Sequence, residues 1–124
     1  MKFTLDSRRD INLIRAYGPG EVLIAEHVQH APCIVTADRL ILDWAARAVA
    51  TLQPEDLAPV FELQPDVVLM GTGPKQTFPA SAIRQAFAAR QVGLEVMDLG
   101  AACRTYNILA QEERRVAALL FPAG

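Results

Sequence analysis

The chain has no long hydrophobic run. The longest, Val116 to Phe121, is six residues, and a membrane-crossing helix needs about 20. It has no surplus of positive charge. Twelve basic and fourteen acidic residues leave a net charge of −2, which offers no basic stripe for nucleic acid. Cysteine is scarce: Cys33 and Cys103 lie 70 positions apart, and they read as free thiols of a reducing compartment, small and buried. Serine occurs only at 7 and 81, with no G-x-S-x-G, which excludes the usual serine-hydrolase elbow. His27, His30 and Cys33 have metal-like spacing. Side chains of a strand alternate between its faces, so the three cannot share one side, and no metal site is expected. No paired carboxylates stand out for acid–base work, and Glu112 to Arg115 read as a solvated turn. Asp6 and Asp10 interrupt any signal or transit pattern, so the expected location is cytoplasmic.

What is present is core material. Hydrophobic residues are 52% of 124, enough for one folded domain over 1–124. From Phe3 to about Asp43 the pattern is strand-like. Ile11 to Tyr17, then Gly18-Pro19-Gly20, then Val22 to Ala25 predict a hairpin. Two further runs, Ala31 to Ala37 and Leu40 to Leu42, suggest an antiparallel sheet or meander. The remainder, 45–124, alternates. A helix starts at Pro54 and ends before Pro65. Val67 to Met70 is a continuous apolar strand of the kind buried on both faces. Pro79 to Gln91 is helical, with Ile83 and Phe87 one turn apart and Gly93 as its stop. Leu94 to Met97 is a strand, Gly100 to about Gln111 a helix, and Arg115 to Phe121 the last strand. The fold class is therefore α/β with α+β features: an N-terminal antiparallel β layer, then a βαβαβ-like layer, giving a mixed sheet flanked by helices.

Two segments carry candidate sites. Gly71-Thr72-Gly73-Pro74-Lys75 follows a buried strand and precedes a helix, where ligands of open α/β sheets bind. The dinucleotide fingerprint is incomplete, because Gln76 stands where its third glycine would be. The P-loop pattern is absent. The second segment is Arg104 to Asn107, in which Arg104 and Asn107 share a helix face. Asn107 is unusual inside a helix, since its side chain competes for backbone hydrogen bonds. It reads either as a lock on a neighbouring loop or as a ligand contact. Cys103, near a helix start, is a weaker candidate nucleophile without a histidine partner. Strands 67–70 and 94–97, joined by one helix, should be parallel and end at one sheet edge. Gly73, Lys75, Arg104 and Asn107 are thus expected on one side of the domain.

Four pieces in order carry a resemblance. They are Tyr17-Gly18-Pro19-Gly20, the Trp44 region, Leu69 to Gly73, and Arg104-Thr105-Tyr106-Asn107-Ile108-Leu109 followed by Arg114 to Leu120. Together, from about residue 12 onward, they resemble the small-domain family that includes mitochondrial respiratory complex I assembly factor 3 and the adipogenesis-associated domain protein. The resemblance implies one compact domain and a non-enzymatic, assembly-factor-like role through an unidentified protein partner. It implies no cofactor and transfers no catalytic residue. The alternative is a small-ligand or anion-binding protein, or an enzyme, using Gly71, Thr72, Gly73, Lys75, Arg104 and Asn107.

Overall fold

The structure, a computed structural model, describes residues 10–124. The start of the strand-like stretch at Phe3, and Ser7, lie outside the described residues. The chain forms β1 (Ile14–Gly18), β2 (Glu21–Ile24), β3 (His27–Gln29), β4 (Cys33–Val35) and β5 (Leu40–Ile41), then two 3-10 turns (Val49–Thr51, Pro54–Leu57) and α1 (Ala58–Glu62). There follow β6 (Val67–Gly71), α2 (Ser81–Ala89), β7 (Gly93–Met97), α3 (Leu99–Gln111) and β8 (Val116–Leu120).

Two sheets result: an antiparallel β1-β2-β3, and a mixed sheet in the order β5-β4-β8-β6-β7. The expected hairpin is present, with Gly18 opposite Glu21. Its tip is Pro19-Gly20, and Gly20 sits at φ 74, the positive φ that a type II turn requires after proline. The expected meander is divided. β3 was not anticipated, and β4 and β5 leave the hairpin to pair in the mixed sheet, β4 against β8. The reason is burial on two sides. Cys33, Ile34 and Val35 are all buried, so the strand belongs between two layers rather than at a half-solvated surface.

β6 is parallel to both β7 and β8. Alternate side chains of β6 and β8 supply two cores. Leu69, Ala118 and Leu120 meet α3 (Ala102, Cys103, Tyr106, Ala110) and the hairpin residues Ile14, Val22 and Ile24. Val68, Met70, Ala117 and Leu119 meet α2 through Ile83 and Phe87, together with Val60, Leu57 and Trp44. The helices α2 and α3 thus cover opposite faces. Trp44 donates its indole N–H to the Asp56 carbonyl at 2.8 Å and packs tilted on Phe121, with ring centroids 5.4 Å apart. Gly93 is not the stop of α2; it opens β7, and Gln91 takes the left-handed position at φ 59 instead. Among the described residues no helix is long and apolar enough to cross a membrane.

Candidate functional site

The Gly71–Lys75 turn is built by packing. A Cβ on Gly71 would lie 2.9 Å from the Ala102 Cβ, so glycine lets α3 press onto β6. Gly73 has φ 85, and a Cβ there would lie 2.6 Å from the Gly124 backbone N. Thr72 is buried. Its hydroxyl accepts from the Thr77 N–H at 2.9 Å and donates to the Lys75 carbonyl at 2.7 Å, with the Met97 carbonyl 3.2 Å away. The Thr72 N–H donates to Met97 O at 2.9 Å, and the Leu99 N–H to Gly73 O at 2.8 Å. At the start of α3 the Asp98 carboxylate accepts from the Ala101 N–H at 2.8 Å, occupying the helix terminus a phosphate would use. The Lys75 side chain is exposed.

Arg104 to Asn107 fasten the N-terminal hairpin. Arg104 donates from Nη1 to the Tyr17 hydroxyl. Tyr106 donates its hydroxyl to Asn12 O at 2.7 Å. The Asn107 amide meets both backbone groups of Ile14: its Oδ1 accepts from the Ile14 N–H at 2.8 Å, and its Nδ2 donates to Ile14 O at 2.8 Å. Among the described residues β1 has a strand neighbour, β2, on one side only. The Asn107 amide therefore does what a neighbouring strand would do on the other, satisfying backbone groups that cannot be left orphaned. This is the locking role that the sequence left open, although the locked segment is a strand and not a loop.

Arg104 and Gly73 do come together. They line a cleft of about 530 Å3 with Tyr17, Gly20, Asp98 and Gly100. The cleft lies at the carboxyl ends of β6, β7 and β8, where open parallel sheets place their ligands. Lys75 and Asn107 are not in its lining. Tyr17 is the residue that sequence reasoning undervalued. Its ring lies over Gly100, where a Cβ would meet the ring at 2.8 Å. It stays 44% exposed, and Ile108, one turn beyond Arg104 on α3, is 57% exposed. His27 pairs with Gln29 at 3.0 Å, His30 faces Glu21 at 3.3 Å, and Cys33 lies in the core, so these three side chains go to separate places.

Cys103 is not an activated nucleophile. It is buried, and burial pushes its thiol from 9.0 up to about 12, with Arg104 lowering and Asp98 raising it. Cys33 is likewise pushed to about 12 by burial and by the neighbouring Cys103. In the unfolded chain both ionise near 9.0, while the folded chain keeps them neutral to about 12. The unfolded state therefore holds fewer protons between these values. The thiols' contribution is whole below pH 9 and is lost as pH rises toward 12. The fall of Tm between pH 9 and 12 should be shallower in a Cys33→Ala, Cys103→Ala double variant. An identical slope in the two proteins would contradict the assignment.

The profile of a family described as "Protein of unknown function (DUF498/DUF598)" matches residues 14–121. NADH dehydrogenase [ubiquinone] 1 alpha subcomplex assembly factor 3 of Danio rerio is 30% identical over 112 residues, covering 89% of this chain and 64% of that protein. The chain thus spans less than two-thirds of that relative. A solution structure from Xanthomonas campestris superposes with TM-score 0.84 at 36% identity, covering 91% of this chain and 86% of the other. A Bordetella pertussis structure described as an Mth938-like domain gives TM-score 0.79 at 26% identity, covering 94% and 89%.

Proposed function

Because the chain belongs to the DUF498/DUF598 family, we propose that it is an assembly-factor-like protein that works by holding a protein partner, without catalysis of its own. The observation that carries this reading is the 30% identity to an assembly factor across 89% of the chain. The surface supports it. Tyr17 and Ile108 are large apolar side chains left exposed on either side of Arg104. Tyrosine and arginine are the residue types enriched at interface hot spots, and Ile108 adds exposed apolar surface beside them. The partner face is therefore the α3–β1 side, centred on Arg104. Two buried free thiols suit a reducing compartment, in keeping with the cytoplasm.

The test is affinity capture from the native cell with wild type and Ile108→Glu. Ile108 is exposed, so the change should alter stability by no more than about 0.5 kcal/mol. Capture of a stoichiometric partner should be lost with Tm unchanged. Full capture by Ile108→Glu and by Tyr17→Ala would move the interface elsewhere. Absence of any stoichiometric partner for wild type would defeat the reading itself.

A further inference from the structure

Of the three polar side chains that line the 530 Å3 cleft, Arg104 and Tyr17 present donors and Asp98 accepts. Arg104 has five N–H groups and accepts nothing. One N–H goes to the Tyr17 hydroxyl. Among the described residues no carboxylate pairs with the guanidinium. The Tyr17 oxygen accepts that bond, which leaves its own proton free to donate outward. Guanidinium and phenol therefore stand side by side, each with hydrogens and no acceptor. Apart from Asp98, the rest of the wall is Gly, Pro, Leu99 and Ala123. The opposing charge, Asp98, already accepts from the Ala101 N–H.

We propose that this cleft binds a monoanionic carboxylate with an apolar body, held by Arg104 and the Tyr17 hydroxyl. A planar guanidinium matches a carboxylate with two parallel bonds. The Gly- and Pro-lined wall accepts the apolar remainder, as ligand sites with a few placed polar groups do. A phosphate dianion is disfavoured on two counts. The Asp98 side chain holds the helix terminus, and its negative charge in the same cleft repels a dianion about twice as strongly as a monoanion. The site shares Arg104 and Tyr17 with the proposed partner face, whereas Ile108 is not in its lining, so Ile108→Glu tests the partner reading and leaves the cleft intact.

The experiment is an amide-shift NMR titration of the full chain, reading Gly18, Gly20 and Gly100. The probes are hexanoate for a free acid, N-acetyl-leucine for a peptide C-terminus, their neutral amides, and inorganic phosphate. Both acids should give saturable shifts with Kd of about 1 mM or tighter. The amides should bind about tenfold more weakly or worse, for loss of the charge-assisted bonds. Arg104→Gln and Tyr17→Phe should each weaken the acids by about tenfold with little change in Tm. Gly18→Val should block them by bulk, since a Cβ at Gly18 meets nothing within 4 Å and the fold tolerates it. The tighter acid identifies the source, a free small molecule or a chain terminus. Equal binding of acid and amide, acid binding undiminished in Arg104→Gln, phosphate binding tighter than either acid, or no saturable shift up to about 20 mM would each overturn the proposal.

Discussion

Asn107→Ala should lower Tm by about 8–12 °C. The change removes one side chain and leaves two backbone groups of Ile14 without partners, the N–H and the C=O it now meets at 2.8 Å. Leaving a partly buried donor or acceptor unmet costs about 1–3 kcal/mol. Water reaches part of this site, because Asn107 is only half-buried, so the sum is set at about 2–3 kcal/mol. For a domain of this size each kcal/mol moves Tm by about 4 °C. The loss should also be local. Amides of β1 and β2 should exchange faster, while those of β6 and β8 should change only with global stability. Asn107→Asp discriminates further. It keeps the acceptor for the Ile14 N–H but sets a carboxylate against Ile14 O, so it should fall between wild type and the alanine variant or below both. If Asn107→Ala melts within about 2 °C of wild type, the amide is not what fastens β1.

That residue also marks how far the sequence could be read. An asparagine in the third turn of an amphipathic helix is legible as an anomaly, because it disfavours the helix it sits in. Its partner is not legible, for Ile14 is 93 residues away and no local pattern encodes the contact. The parallel placement of β6 and β7 was readable, since two apolar runs joined by one helix leave few topologies. The departure of β4 into the second sheet was readable in principle. Cys33-Ile34-Val35 is continuous rather than alternating, the same sign that identified β6. β3 gave no such sign: His27-Val28-Gln29 carries one apolar residue, and backbone pairing to β2 makes it a strand. At the candidate site, Gly73 and Arg104 came together because both follow from the ends of parallel strands. The engagement of Asn107 with β1 depended on where the hairpin folds back, which strand order alone does not determine. Gln91 taking a left-handed φ in place of Gly93 is likewise a tertiary decision, since Gly93 N–H is needed by Asp66 O at 3.2 Å to start β7.

Gly71→Ala should destabilise the fold by about 1–2 kcal/mol, and the cost should be recoverable at one position. The new Cβ would stand 2.9 Å from Ala102 Cβ, 3.3 Å from Leu120 Cδ2 and 3.4 Å from Leu99 Cα. The leucine methyl can rotate by a few tenths of an ångström. The helix cannot retreat cheaply, because the Leu99 N–H is bonded to Gly73 O at 2.8 Å and Asp98 caps the same turn. Overpacking of this kind costs about 1–3 kcal/mol. Replacing glycine returns about 0.4–1 kcal/mol through the unfolded chain, which the clash exceeds. Ala102→Gly removes the methyl that is struck. Alone it should cost about 1 kcal/mol as a glycine within a helix, plus the small void it leaves. Combined with Gly71→Ala it should restore contact at ordinary distance, so the double variant should be more stable than the sum of the singles by about 1–2 kcal/mol. Denaturant midpoints at unchanged m-value would measure that coupling. Strict additivity would mean that close approach of α3 to β6 is not why glycine stands at 71. A favourable coupling would locate the purpose of the first glycine of the turn in helix packing, beside the cleft and not within it.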